Sequence, residues 1–441
     1  MVRRCLFVLA LLLSPSLARS ADLLEAWHAA LNNSPEYRAA GFVAAGEHAG
    51  VDVTRSRLLP RLDASAAAFQ NATQRTLASG PVPWSSFRYG SERASLQFSV
   101  PLIQVAGRMD LERAKASAEA ADEAYRAQEQ MLAVKVTQRY MDVLLAREQV
   151  AAARRKQASL DEVLRVAEKS FSAGVASLTD VDDARAMRDA AVADVLEAEG
   201  AISVTEQALA SVTGETKEAG DLAGLSVTKM VPATPSMRAV GEWLEMAGRS
   251  SPEIAGARFA QQAAAYNESR VLMSRIPTLE LVASKGNSSS DGESNIGYRY
   301  KTDSIGLQFT VPLYSSGGAR AARRQAAAAH GKATADLDAA NSGVRLEIIR
   351  EHSLVRAGYS RIEALQTAMD SASRSVAGNE KGIQAGTRNI IDLINARQRY
   401  FDVQADLLKA RCQYVVATLK LKALAGVLVP ADMREVNAWL E

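Results

Sequence analysis

The stretch Ile390–Leu424 carries a heptad pattern that a long, partnered helix satisfies and a compact fold does not. Every seventh residue from Leu393 gives Leu393, Tyr400, Leu407, Tyr414 and Leu421. The set three residues on gives Ala396, Val403, Ala410, Ala417 and Leu424. An apolar stripe with 3-4 spacing, held without a proline across the whole stretch, argues for a coiled-coil helix. Subtracting 212 from each number gives Val181, Arg188, Val195, Ile202, Leu209 and Ala184, Ala191, Ala198, Thr205, Val212. The same helix is written twice, with Arg188 the one dissonant residue. The chain therefore reads as a tandem duplication. A first repeat over 21–213 and a second over 238–426 are joined by 214–237 and closed by a tail, 427–441.

The two halves also match outside the heptads. Ser34-Pro35-Glu36 and Ser251-Pro252-Glu253 are helix-start signals, and each opens a helical segment that reaches a second proline, Pro60 or Pro277, 25 residues on. Strand pairs are expected at about 61–101 and about 278–313. Leu62, Ala64, Ala66 and Ala68 alternate with Asp63, Ser65, Ala67 and Phe69 in the first strand; Leu279, Leu281 and Ala283 alternate with Glu280, Val282 and Ser284 in its copy. Polar loops are read at about 72–92 and 286–301. Beyond them, Leu96, Phe98 and Val100 alternate with Ser95, Gln97 and Ser99, and Ile305, Leu307, Phe309 and Val311 with Gly306, Gln308 and Thr310. Alternation over about 9–11 residues suits a membrane-spanning strand, although a half-buried strand of a water-soluble sheet reads the same way.

Each pair ends in Val-Pro-Leu (Val100–Leu102 and Val311–Leu313) and leads through glycine into an alanine-rich helical hairpin. The hairpins are expected at about 103–213 and about 316–426, reversing at Gly174 and Gly386. The return arms, Gly174 to Gly214 and Gly386 to Gly426, each span 40 residues. In the first outgoing arm the spine Leu111, Ala118, Tyr125, Leu132 slips by four residues to Val136, Val143, Val150. An insertion of four is a stutter, which locally unwinds a supercoil. A helix of that arm's length is on the order of 100 Å long, more than any globular domain needs.

Composition narrows the function. Arg3 and Arg4 before the apolar Cys5–Leu13, with Ala18-Arg19-Ser20 following, read as a signal peptide over 1–20 with cleavage before Ala21. Its apolar core is too short to remain as a membrane anchor. Loss of three arginines takes the formal charge from +2 to about −1, which offers nucleic acid nothing. Cys412 is then alone, so no intrachain disulfide is expected, and no cysteine sits at the mature terminus to carry a lipid. No other apolar run reaches about 18 residues, so any membrane crossing must be made by strands. Phosphate loops and nucleophile elbows are absent, and His28, His48, His330 and His352 are scattered. Neither a metal, nor a cofactor, nor catalysis is expected.

Four strands cannot close into a barrel, and open strand edges cannot persist in lipid. Membrane-spanning strands here must be pooled by several chains into one barrel, with the long helices continuing as a coaxial cylinder. Alanines on the heptad seam permit the close helix approach such a wall requires. The expected product is a tube.

The duplicated plan, the Val-Pro-Leu strand ends and Ala385-Gly386-Thr387-Arg388-Asn389-Ile390-Ile391-Asp392 resemble the TolC-like outer-membrane efflux family over nearly the whole mature length. The resemblance implies a mainly α fold with membrane β: a trimeric 12-stranded outer-membrane β-barrel continued by a long periplasmic coiled-coil barrel. It implies a passive exit duct for small molecules or for type I secretion of proteins. Its partners would be outer-membrane lipid, a periplasmic adaptor (membrane-fusion) protein and an inner-membrane transporter, ABC-type or proton-driven. The turns 171–180 and 383–392 would be periplasmic tips, with Gly174, Val175, Gly386 and Thr387 offered to the adaptor. Asp392 matches an acidic ring at the entrance, Asn395 stands where a second acid is expected, and Ile383 replaces a tyrosine. Arg388 with Thr179 and Asp180 matches the set that ties neighbouring helix pairs shut. Asp180 and Asp392 equally suit helix N-termini, where an acid is favourable.

The alternative from a different class is a periplasmic coiled-coil adaptor or scaffold without a pore. Two hairpins and two amphipathic strand pairs, where adaptors usually carry one hairpin and β-rich binding domains, favour the duct.

Overall fold

The computed structural model describes residues 22–75, 85–174, 177–214, 238–291, 297–385, 387–388 and 390–440. The expected signal peptide, the linker after Gly214, Val175 and Gly386 lie outside them. The element order is α1 (Leu23–Asn33), α2 (Pro35–Ser56), β1 (Arg61–Arg75), β2 (Ser85–Ile103), α3 (Val105–Ser172) and α4 (Leu178–Thr213). It recurs as α5 (Val240–Ser250), α6 (Pro252–Met273), β3 (Thr278–Ser290), β4 (Tyr298–Thr310), α7 (Gly318–Gln384) and α8 (Ile390–Leu424), followed by α9 (Pro430–Asn437). Among the described residues no helix is long and apolar enough to cross a membrane.

The chain divides into two compact units. The first holds residues 1–41, 124–254 and 341–441. Its core gathers Leu23, Trp27 and Ala30 of α1, Leu132, Val136, Tyr140 and Val143 of α3, Leu209 and Val212 of α4, and Met433 and Val436 of α9. The second stripe of α8, Cys412, Val415, Leu419 and Ala423, enters the same core. The heptad face of α8 packs elsewhere: Leu407, Ala410 and Tyr414 meet Ile362 of α7. Helix α8 is thus buried on two sides, which an a/d reading alone does not reveal. Arg188 stands on the seam of α4 because carboxylates surround it, Asp161 of α3 at 3.7 Å and its neighbour Asp189 at 3.0 Å.

Left-handed glycines end α4 and α8, Gly214 at φ 74° and Gly426 at φ 72°. A Cβ on Gly426 would lie 1.9 Å from the Ser250 carbonyl oxygen, so close backbone approach as well as φ demands glycine there. Within the tail, whose composition specifies little, Pro430–Asn437 forms α9; Asn437 Nδ2 donates to Asp22 Oδ2 at 2.9 Å, and Lys422 pairs with Asp432 at 2.6 Å.

The second unit, residues 42–123 and 255–340, contains one antiparallel sheet of order β1-β2-β3-β4. The strands outrun the expected loops: β1 continues to Arg75, β2 starts at Ser85, β3 continues to Ser290 and β4 starts at Tyr298. Along these extensions the face that is apolar nearer the helices turns polar, with Gln74, Arg88, Lys285 and Lys301, while Tyr89 and Tyr300 lie on the other face, so the alternation changes sides although the backbone ladder persists. A register shift between Pro101 and Ile103 accommodates the proline near the end of β2. Leu62, Phe98, Ala283 and Ile305 are cross-strand neighbours and share one face, continued by Leu281 and Leu307. The opposite face is mainly polar, with hydroxyl pairs Ser65–Ser95 at 2.8 Å and Ser284–Ser304 at 2.7 Å, and also carries Phe69 and Val282. Helix α2 packs Val51 on Ala114 and Ala118 of α3.

Candidate functional site

The candidate site lies at the two helix–helix turns, α3 to α4 and α7 to α8. Helix α3 stops because Gly174 takes φ 75° and donates its N–H to the Phe171 carbonyl at 2.9 Å, a C-terminal glycine cap. Helix α4 restarts on a capping box. The Asp180 N–H donates to Ser177 Oγ at 3.1 Å, and the Ser177 N–H donates back to the Asp180 carboxylate at 2.8 Å. The Ser177 N–H foremost, and the Ser177 hydroxyl that donates to the same carboxylate at 2.9 Å, hold the Asp180 carboxyl below its ordinary range. Ser177-Leu178-Thr179-Asp180 has the capping-box spacing, so this cap is legible in the sequence beyond the acid alone.

The second turn gathers its donors on one carbonyl. The Thr387 N–H and Thr387 Oγ1 donate to the Gly382 carbonyl at 2.9 and 3.2 Å, and the Arg388 N–H joins them at 3.3 Å. A Cβ on Gly382 would lie 2.6 Å from Arg388 Cγ, so glycine at 382 leaves room for the arginine. Gly382 is a site residue that sequence reasoning missed; nothing in a lone helical glycine announces it. Arg388 forms an ion pair with Asp392, one turn on, at 3.8 Å. Both side chains are substantially exposed, so the pair is weak in one chain.

The structure thus brings together Arg388 with Asp392 and Ser177 with Asp180. Among the described residues of one chain, no hydrogen bond or ion pair joins Arg388 to Thr179 or Asp180. Thr179 and Asn395 are exposed, and the Asn395 backbone carbonyl accepts from Arg399 Nε at 3.2 Å. Further from the turn, Arg397 of α8 binds Glu380 of α7 at 2.9 Å. Arg155 of α3 stacks over Phe401 of α8 at 5.1 Å, tying one hairpin to the other. Among the described residues no cluster of three metal-ligating side chains occurs.

The chain thus carries two long helical hairpins closed by polar turns, each preceded by a β-hairpin with an apolar face. The chain belongs to the outer membrane efflux protein family, whose model matches residues 26–215 and 243–427. It is 32% identical over 445 aligned positions to the alkaline protease secretion protein AprF of Pseudomonas aeruginosa, covering 98% of this chain and 90% of that protein. It is 28% identical to the proteases secretion protein PrtF of Dickeya chrysanthemi, covering 99% and 95%. It is 29% identical to the outer membrane protein TolC of Vibrio cholerae, covering 95% and 94%. Among solved structures, the Campylobacter jejuni CmeC outer membrane channel superposes with a TM-score of 0.79 at 18% identity, covering 95% of this chain and 90% of that one. CusC superposes at 0.75 and 18% identity, covering 92% of each. These two likenesses speak for the fold. The TolC-like character read from the 385–392 motif and the repeated strand ends is established.

Proposed function

We propose that this chain is a passive outer-membrane exit duct, working as a homotrimer whose twelve pooled strands cross the outer membrane and whose helical hairpins form a periplasmic tunnel. One observation carries the reading. The sheet leaves β1 and β4 as open edges while presenting an apolar face of Leu62, Phe98, Ile305 and Leu307. An open edge in hydrocarbon leaves backbone groups unpaired at several kcal/mol each, so β1 of one copy must find β4 of the next. Exposed apolar side chains on the long helices, Met187, Leu196 and Val204 of α4 and Leu346 and Leu354 of α7, are consistent with faces that a neighbouring copy covers.

The tandem duplication is part of the same proposal: the repeated element order gives each protomer two near-equivalent staves of the wall. The relatives named for protease secretion favour a protein cargo, exported by a type I system with an adaptor and an inner-membrane transporter. At the tips, three copies of Asp392 form the acidic ring, with Asn395 next inside. Arg388, Thr179 and Asp180 latch neighbouring hairpins, and Gly174, Val175, Gly386 and Thr387 are presented to the adaptor.

The test is membrane fractionation with cross-linking. The expected result is sedimentation with outer membranes as a species of three-fold mass that resists detergent until heated. A water-soluble monomer in the periplasmic fraction would point to the adaptor reading instead.

A further inference from the structure

The apolar face of the sheet ends unevenly. On β1 it continues through Ala64, Ala66 and Ala68, and on β2 through Leu96 and Ala94. On β3 and β4 it stops at Ala283 and Ile305; the next rows on that same face are Lys285 opposite Asp303 and Asn287 opposite Lys301. Arg299 follows opposite Ser289. The slanted boundary between methyl groups and cations is what tilted strands in a bilayer require. A groove of about 710 Å³ straddles it, with Ala64, Ala66, Ala94 and Leu96 along one side and Lys285 and Lys301 along the other. Lys285 is paired with Asp303 at 3.3 Å, whereas Lys301 has no ion-pair partner among the described residues. The acids on this face near the groove are Asp303 and Glu92, against three cations, Lys285, Arg299 and Lys301.

We propose that this groove is a binding site for a phosphorylated lipid: an acyl chain lies along the alanine side while Lys301, Lys285 and the Asn287 amide meet the phosphate. Charge complementarity and the apolar floor select that occupant over a zwitterionic lipid, whose phosphate is already neutralised. The site lies on the hairpin-loop side of the apolar band, so the lipid belongs to the leaflet away from the long helices. The inference rests on the membrane-barrel reading above.

The test titrates the purified full chain, in a neutral maltoside detergent, with dihexanoyl phosphatidic acid, dihexanoyl phosphatidylcholine and inorganic phosphate, binding being read by native mass spectrometry. Phosphatidic acid should bind at least about ten-fold more tightly than phosphatidylcholine. Lys285→Gln/Lys301→Gln, and Lys301→Gln alone as the milder variant, should reduce that preference at least about five-fold. Ala94→Leu should weaken phosphatidic acid while leaving the charge unchanged, and Lys332→Gln on α7 should change nothing. Equal binding of inorganic phosphate and phosphatidic acid, or retention of the preference in the lysine variants, would overturn the site. Insertion of the wild type into outer membranes is scored in parallel: insertion with no lipid preference sinks the site and spares the duct, whereas failure to insert sinks both.

Discussion

Lys420 of α8 donates to Glu351 of α7 at 2.8 Å, and the Glu351 side chain is only 4% exposed. The same ammonium reaches Glu347 at 3.0 Å. Burial alone would pull Lys420 down, but the bonds to Glu351 and Glu347 outweigh it and raise it. The hydrogen bond from Lys420 holds Glu347 below the ordinary carboxylate range.

Lys420→Met should destabilise the chain by about 1.5–3 kcal/mol, because Glu351 is left buried without its cation. Lys420→Met/Glu351→Leu should recover much of that loss. The wild-type melting temperature should be flat near neutrality. It should fall in acid as pH drops from the free-glutamate value, about 4.3, through the depressed Glu347 value, where the carboxylate contribution disappears. It should fall again in base as pH rises through the raised Lys420 value. Melts followed by circular dichroism at several pH values check this; an unchanged acid limb in Lys420→Met would contradict it.

The sheet's two faces differ enough to predict opposite outcomes for adjacent residues. Phe98 shares the apolar face with Leu62 and Ala283, while Gln97 faces the other way with Asp63 and Ser284. Phe98→Arg should cost ~2–4 kcal/mol in a membrane and block assembly, whereas Gln97→Arg should be mild. Heat-modifiable migration of outer-membrane fractions reports assembly, and equal defects would mean that the faces are misassigned.

Cys412 is buried in the first unit's core, and burial pushes its thiol up to about 12. At pH 8 its alkylation by iodoacetamide should be slower than that of an ordinary thiol by on the order of a thousandfold, since the thiolate is the nucleophile. Labelling should become rapid in guanidinium. Comparable rates with and without denaturant would place the thiol at the surface.

Much of this was legible in the residues. The proline-free heptad run 390–424 gave α8 its bounds because period and breakers agreed, and Gly174, Gly214 and Gly426 marked helix ends because each needs positive φ. The strand faces were legible wherever one side is apolar. The extensions at Asn71–Arg75 and Ser85–Glu92 were not, since the face that is apolar nearer the helices turns polar there and the aromatic Tyr89 lies on the other one. The second buried stripe of α8 was hidden because the a/d spacing already explained the helix. At the candidate site, the Ser177–Asp180 box was readable, but the crowding of Arg388 over Gly382 depends on how the chain folds back and has no one-dimensional signature.

The central claim, a tube shut at its helical turns, is tested most directly by single-channel recording from the purified oligomer in planar bilayers. Wild type should give small, discrete conductance steps. Arg388→Ser should give steps several-fold larger with the oligomer intact, because the proposed latch to Thr179 and Asp180 on the neighbouring hairpin is removed. Asp392→Ala should keep its steps and lose sensitivity to block by trivalent cations. Folded oligomer that inserts and gives no discrete steps in the wild type or in Arg388→Ser would contradict the duct itself.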